Sequence, residues 1–202
     1  ASHEVIARLD ADDVALPGRL AHHVAAFAAD PDLVLHATAY QRTLPDGTVL
    51  RTPSPPLTHG GLAMTSATGN RLCHSAVAFR RNAVLAVGGY RAERYPVEDF
   101  DLWVRLLAAG RYSGSGMVGT RYLANPDGIS QRNEALQREL MQRIVDEYCV
   151  SLCGVESSPD GPVVRRLRHL ASVRHGLLIA LPLCAGSTIF TLTVRRIRME
   201  SG

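Results

Sequence analysis

The segment EVIARLDADD, residues 4–13, changes character in its middle. Its first part is short and rich in Val, Ile and Leu, which predicts a buried strand over Glu4–Leu9. Three aspartates, Asp10, Asp12 and Asp13, follow at once. Carboxylates therefore stand at the carboxyl end of a buried strand, which is the edge where open α/β sheets bind their ligands.

Strand and helix patterns alternate along the sequence that follows. Pro17 opens a predicted helix whose apolar face would carry Leu20, Val24 and Phe27. Further patterns predict a strand at 33–39, a hairpin at 44–49, a surface loop at 52–61, a strand at 73–79, a helix from 96–99 to Gly110, and a surface helix after Ser130 with Leu136, Leu140, Ile144 and Tyr148. This alternation predicts an α/β layer architecture without internal repeats.

Composition excludes several classes of protein. The chain has 202 residues, of which 46% are hydrophobic and 20% charged, so wholesale disorder, a collagen-like repeat and a polytopic membrane protein are excluded. The four cysteines form no CxxC pair, which argues against a disulfide scaffold and a structural zinc site. We expect buried thiols in a reducing compartment.

The DADD segment suits a divalent cation. Two aspartates two positions apart at a strand end can face one hard ion such as Mg²⁺ or Mn²⁺, with a bound phosphate completing the ligand shell. The same Asp-x-Asp spelling recurs at Asp30/Asp32 and Asp99/Asp101, so only its position at a strand end distinguishes the first copy. The alternative is that these acids merely cap the helix that begins near Pro17.

The segment EDFDLW, residues 98–103, follows the turn Gly88-Gly89-Tyr90. A carboxylate held ionised at a helix N-terminus can act as a general base, although acids are common in a first helical turn for electrostatic reasons alone. Trp103 could stack on a sugar ring or pack in the core with its apolar neighbours.

Three segments taken in order resemble one enzyme family: ARLDADDVALPGRLAHHV (7–24), HSAVAFRRNAVLAVGGYRAERYPVEDFDLWVRLLAAG (74–110) and RYLANPDGIS (121–130). Together they resemble the bacterial family 2 glycosyltransferases, which are inverting nucleotide-sugar enzymes with a GT-A fold. The resemblance spans about residues 1–131. It implies a Rossmann-like α/β fold and transfer of a sugar to a glycan or lipid-linked acceptor.

The resemblance also implies roles for single residues. Asp10 and Asp12 match the metal-binding Asp-x-Asp, which holds Mn²⁺ or Mg²⁺ against the diphosphate of the nucleotide sugar. Asp13 matches an additional acid on the diphosphate side. Asp99 matches the catalytic base, and Glu98 its neighbour.

The acceptor side is implied in the same way. Its expected contacts are His74, Gly88, Gly89, Tyr90 and Trp103. Many family members have a histidine in the segment that matches 122–130, where it helps to hold the metal or the diphosphate. This chain has Asn125 there, which is a weaker ligand.

The resemblance divides the chain into three parts. Residues 1–131 would be the metal and acceptor half of a GT-A domain, 132–160 its C-terminal helix, and 161–202 a basic and apolar tail with seven arginines and one glutamate. Family members begin with a further segment that binds the nucleobase and ribose. We therefore expect an N-terminally truncated domain that is inactive in isolation.

The tail contains an uncharged stretch of 19 residues, 176–194, between groups of arginines. That length just spans a bilayer core, so one expectation is a membrane-inserted helix on a cytoplasmic enzyme at the inner face of the plasma membrane. The other is a hydrophobic helix packed on the catalytic domain. Nucleic acid is not an expected partner, because aromatic residues are not interleaved with the arginines.

Two rival functions stay open at this point. A non-catalytic glycan-binding or scaffold domain could keep the fold after losing the nucleotide half. A metal-dependent phosphatase or hydrolase could be built on the DADD strand end, but it would need a separate group to activate water, and the spacing suggests none.

Overall fold

The computed structural model describes residues 2–124 and 133–153. These residues form a mixed α/β fold. Its strands are β1 (Val5–Ala7), β2 (Val14–Ala15), β3 (Leu33–Thr43), β4 (Val49–Arg51), β5 (Val77–Arg80) and β6 (Arg111–Leu123). Its helices are α1 (Arg19–Ala29), α2 (His59–Ser66), α3 (Arg81–Ala86), α4 (Glu98–Ala109) and α5 (Glu134–Cys153), with 3₁₀ turns at His74–Ala76 and Ala92–Arg94. The α/β class predicted from the sequence is therefore confirmed.

The six strands form one mixed sheet in the order β1-β5-β3-β6-β2, with β4 also paired to β3. Strands β3 and β6 run parallel, and every other described pair is antiparallel. Seven successive residues of β3, from Leu33 to Ala39, are buried, as expected for a central strand covered on both faces.

Helix α4 supplies the centre of the core. Leu102, Trp103, Leu106 and Leu107 pack with residues of β3 and β5 in one cluster, which confirms the predicted apolar stripe of this helix. A second cluster joins α4 to α5 and includes Phe100 and Ile144. Helix α5 thus covers α4 and is only partly a surface helix, while its proposed N-cap, Ser130, lies outside the described residues.

Strand β6 is an element that the sequence did not predict. Its sequence RYSGSGMVGTRYL contains three glycines, which weaken a strand pattern. In the structure it pairs with β3 along nearly its whole length, from Arg111 to Leu123. Gly114 also lies close to the loop that precedes α2, since its N–H donates to the carbonyl of Leu57 (3.0 Å).

The predicted loop at 52–61 is wrong at its end. Helix α2 begins at His59, and Thr58 caps it by accepting a hydrogen bond at Oγ1 from the N–H of Gly61 (3.1 Å). Pairs of glycines usually disfavour a helix, but a side-chain cap satisfies one of the free N–H groups of the first turn.

The predicted apolar face of α1 is right for Phe27 but wrong for Leu20 and Val24. The helix is present, but Leu20 and Val24 are about 60% exposed, whereas Arg19, His23 and Phe27 are buried. His23 Nδ1 lies 2.7 Å from His36 Nδ1 on β3. Burial lowers the pKa of His23 to about 3 and that of His36 to about 4, so both rings are neutral and can share this hydrogen bond.

No helix in residues 2–124 and 133–153 is long and apolar enough to cross a membrane. The stretch 176–194, which prompted the membrane expectation, lies outside the described residues. The Cys149 side chain is buried, and that of Cys73 is half-buried.

Two glycines of β6 provide a stability test. A Cβ at Gly114 would lie 2.0 Å from the carbonyl oxygen of Pro56, whereas a Cβ at Gly116 would meet no atom within 4 Å in the described structure. We expect Gly114→Ala to lower the free energy of unfolding by about 1–3 kcal/mol, because the loop must move away from the strand. Gly116→Ala is the matched control and should change it by less than about 0.5 kcal/mol in chemical denaturation. Equal effects would contradict the close approach at Gly114.

Candidate active site

Two acidic segments that are far apart in the sequence come together in the fold. The DADD segment follows β1, and the first turn of α4 carries Glu98 and Asp99. The two segments interact electrostatically, since the negative charge of Asp10 contributes to raising the pKa of Asp99. His74, in the 3₁₀ turn before β5, lies 3.6 Å from Asp10, and its ring centroid is 6.0 Å from that of Trp103 on α4.

Asp10 is held in a defined orientation. Its N–H donates to Ser75 Oγ (2.9 Å), and the Ser75 hydroxyl donates in return to Asp10 Oδ2 (3.0 Å). Arg8 pairs with the other carboxylate oxygen, Oδ1, at 2.5 Å. Ser75 is fully buried, while the Asp10 side chain is 33% exposed. The carboxylate is therefore held on its buried side and open to solvent on the other.

His74 connects the DADD segment to the glycine turn. Its Nδ1 lies 3.6 Å from Asp10 Oδ2, and its Nε2 lies 2.9 Å from the Tyr90 hydroxyl. Burial lowers the pKa of His74, with Asp10 opposing this effect. A neutral His74 with its proton on Nδ1 would point that N–H toward the Asp10 carboxylate and accept a hydrogen bond from the Tyr90 hydroxyl at Nε2.

Asp13 faces inward and Asp12 outward. The N–H of Leu123, at the end of β6, donates to Asp13 Oδ1 (2.9 Å). The second oxygen, Asp13 Oδ2, is buried and has no hydrogen-bond partner in the described structure. Burial accordingly raises the pKa of Asp13. Asp12, by contrast, is exposed and free to face a ligand.

Arg19 supports the backbone next to the DADD segment from the buried side, a role that the sequence did not predict. The residue is only 2% exposed, and its guanidinium donates to the carbonyls of Arg8 (2.5 Å) and Val77 (3.4 Å). It thereby joins the end of β1 to β5. The N-cap of α1 is Gly18, with no side-chain cap, so the DADD acids do not cap this helix.

Asp99 occupies the first turn of α4 and is half-buried. Its Oδ1 accepts the N–H of Phe100 (2.7 Å), and its Oδ2 accepts Nδ2 of Asn70 (3.0 Å). Burial, together with the charges of Glu98 and Asp10, raises the pKa of Asp99 to about 6. A carboxyl group with this pKa is mostly ionised at pH 7 and still basic enough to accept a proton.

Asp101 and Arg105 hold the glycine turn in place. Gly88 and Gly89 have φ of 85° and 68°, a left-handed conformation that glycine adopts without strain. Arg105 donates to the carbonyls of Val87 (2.6 Å) and Gly89 (2.7 Å) and forms two hydrogen bonds to Asp101. The third Asp-x-Asp of the sequence thus ends in a structural ion pair.

Trp103 is only 1% exposed and packs in the core, with its ring 6.0 Å from that of His74. This position favours core packing over stacking on a sugar. Asn125, the remaining candidate, lies outside the described residues.

Several residues of the site were not predicted from the sequence. They are Arg8, Arg19, Asn70, Ser75 and Arg105. Each of them contacts a predicted residue or its backbone. Arg8 lies next to its partner in the sequence, whereas the other four reach theirs across a helical turn or from a distant part of the chain. Only the Asp101/Arg105 pair had a visible signal, because its i,i+4 spacing places both side chains on one helix face.

The chain is similar to a known glycosyltransferase, although no protein-family model matches it. That relative is the amylovoran biosynthesis glycosyltransferase AmsE of Erwinia amylovora, with 30% identity over 109 residues. The match covers 54% of this chain and 40% of AmsE, so it spans less than half the length of that relative. The similarity points to glycosyl transfer.

The Asp101/Arg105 pair can be tested against a matched pair of the same spacing. Asp101 is 3% and Arg105 14% exposed, whereas Glu134 and Arg138 on α5 are both more than 70% exposed. We expect Arg105→Ala to lower the free energy of unfolding by about 2–3 kcal/mol, because it leaves a buried carboxylate with weaker partners. Arg138→Ala should cost about 0.5 kcal/mol or less in the same denaturation experiment. Similar losses for both variants would contradict the role assigned to Asp101.

Proposed function

We propose that the chain is part of an inverting family 2 glycosyltransferase with a GT-A fold. The observation that carries the proposal is the meeting of the DADD strand end with Asp99, a carboxylate whose pKa suits a general base. The similarity to AmsE over 109 residues supports the same class of reaction independently of the site geometry. The transferred sugar would come from a nucleotide-sugar donor.

The DADD segment fits a divalent cation of the Mg²⁺ or Mn²⁺ type. In residues 2–124 and 133–153, no group of three or more His, Cys, Asp or Glu side chains is placed to hold a metal ion. Mg²⁺, however, is usually bound by one or two carboxylates together with substrate phosphates and water. The exposed Asp12 and the partly open Asp10 provide such oxygens, and the unpartnered Oδ2 of Asp13 adds negative charge beside them.

When bound, the cation would neutralise the diphosphate that leaves with the nucleotide. The protein's own groups would do the rest. Asp99 accepts the proton of the acceptor hydroxyl, whose oxygen forms a bond to the anomeric carbon as the bond from that carbon to the diphosphate oxygen breaks. One displacement of this kind inverts the anomeric configuration and leaves a nucleoside diphosphate. General-base assistance contributes typically about 10²–10⁴-fold to such a step.

His74, Tyr90 and the glycine turn would form the acceptor side. The His74–Tyr90 hydrogen bond presents two polar groups next to Asp10, and Tyr90 remains 41% exposed. The positive φ angles at Gly88 and Gly89 allow the backbone to approach a bound sugar without a Cβ in the way. Hydroxyl groups of a glycan are natural partners for such a surface.

The biological setting follows from the same proposal. Residues 1–131 would be the metal and acceptor half of the catalytic domain, 132–160 its C-terminal helix and 161–202 a basic tail that meets the inner face of the membrane through 176–194. The acceptor would be a glycan or lipid-linked sugar of polysaccharide biosynthesis, in keeping with the name of AmsE as an amylovoran biosynthesis enzyme.

Replacement of the base tests the proposal. We expect Asp99→Asn to reduce transfer by about 10²-fold or more, because an amide cannot accept the proton, while nucleotide binding persists. In the unmodified protein the rate should fall about tenfold per pH unit below about pH 6, as Asp99 becomes protonated. The measurement is product formation by the full-length gene product with UDP-, GDP- and dTDP-linked sugars.

Asp32→Asn is a suitable control, since Asp32 is an exposed aspartate of another Asp-x-Asp triplet. Its rate should equal that of the unmodified protein. A near-normal rate for Asp99→Asn would exclude Asp99 as the base, whereas no transfer by the unmodified protein from any of these donors would favour a non-catalytic glycan-binding domain.

A further inference from the structure

Asn70 is the side chain that contacts the carboxylate of Asp99 from outside α4. It follows α2, and its Nδ2 donates to Asp99 Oδ2 at 3.0 Å. The other oxygen of Asp99, Oδ1, is occupied by the helix N–H of Phe100. One oxygen is therefore committed to the helix, and Asn70 defines the surroundings of the second.

The orientation of the Asn70 amide is fixed by its own chain. Its Oδ1 accepts the N–H of Leu72 (3.0 Å), so the NH₂ group must point the other way. A flipped amide would place Oδ1 against the Asp99 oxygen and lose both hydrogen bonds. Asn70 thus presents a neutral N–H donor, pre-oriented toward Asp99, without adding charge.

The groups around Asp99 make this donor important. The charges that raise the pKa of Asp99 come from Glu98 on the same helix and from Asp10 at the end of β1. Tyr90 and Cys73 also face it and are neutral at pH 7, since burial raises the pKa of each to about 12. Asn70 and the Phe100 N–H oppose these effects, because a hydrogen bond to the charged form stabilises that form.

We propose that Asn70 is a positioning residue that holds Asp99 ionised and turned toward the acceptor hydroxyl. This inference rests on the proposed role of Asp99 as the base. Without the Asn70 hydrogen bond, Oδ2 would face Glu98 and Asp10 without a side-chain donor, and the carboxyl group would take up a proton at higher pH. The base would then be blocked over part of the neutral range.

Asn70→Asp and Asn70→Ala both remove the donor to Asp99, and only Asn70→Ala does so without adding charge. An aspartate has nearly the same shape and can still accept the Leu72 N–H, so the local turn is preserved, but it cannot donate to Asp99 and adds a negative charge. Asn70→Ala removes both hydrogen bonds. Arg71→Ala is the control, since Arg71 is an exposed neighbour whose described hydrogen bond goes to Thr68.

The first readout is the titration of Asp99 in the full-length gene product labelled with ¹³C at the aspartate carboxyl groups. The Asp99 signal is assigned by its loss in Asp99→Asn. We expect Asn70→Asp to raise the titration midpoint at Asp99 by about one pH unit or more, Asn70→Ala to raise it by less, and Arg71→Ala to leave it unchanged. Thermal unfolding checks that each variant is folded.

The second readout is the pH profile of transfer. The acidic limb of kcat should move to higher pH in Asn70→Asp by the same amount, while KM for the nucleotide sugar changes less than about twofold. A midpoint that stays unchanged in Asn70→Ala would overturn the inference and leave the transferase intact, since a shift in Asn70→Asp alone would reflect the added charge. A shifted midpoint in a protein that transfers no sugar would overturn the proposed function and leave the Asn70 contact standing.

Discussion

The antiparallel pairing of β1 with β5 is the constraint on which the site depends. The register places Val5 opposite Arg80 and Ala7 opposite Ala78, and the Arg8 N–H continues the ladder to the carbonyl of Val77 (3.0 Å). One step further, Asp10 meets Ser75, and the backbone pairing gives way to a side-chain pair. A one-residue shift in the register of β1 against β5 would turn Asp10 to the other face of the sheet and separate it from His74 and Asp99.

Around this pairing the protein concentrates negative charge at a cost in stability. The charge of Asp10 raises the pKa of both Asp13 and Asp99, with Glu98 adding to the effect at Asp99, and buried oxygens of Asp13 and Glu98 have no hydrogen-bond partner in the described structure. Arg8 and buried Arg19 offset part of this repulsion from the strand side. Under the proposed function, a divalent cation would supply the missing counter-charge.

The sequence predicted the elements whose signals are local. The apolar stripe of α4 and the turn at Gly88 and Gly89 were visible in periodicity and turn residues. Strand β1 and its acidic end were also visible, but the strand is shorter than the predicted Glu4–Leu9 and is half-buried rather than buried, because it lies at the edge of the sheet. It failed where distant partners decide the structure. Strand β6 is stabilised by ten paired positions on β3 despite its glycines. The inward face of α1 carries Arg19 and His23 because Arg19 donates to the backbone carbonyl of Arg8 and His23 hydrogen-bonds to His36. Asn70 and Ser75 were missed for the same reason, since their partners lie 29 and 65 residues away.

The central claim is that the two acidic segments form one metal-dependent nucleotide-sugar site. Its most direct test is calorimetric titration of the full-length gene product with UDP, GDP and dTDP, with and without Mn²⁺, alongside Asp12→Ala. The account predicts that one nucleotide binds only when Mn²⁺ is present and that Asp12→Ala loses this binding. Failure of every nucleotide to bind, or binding that is unchanged by Mn²⁺ and by Asp12→Ala, would contradict it.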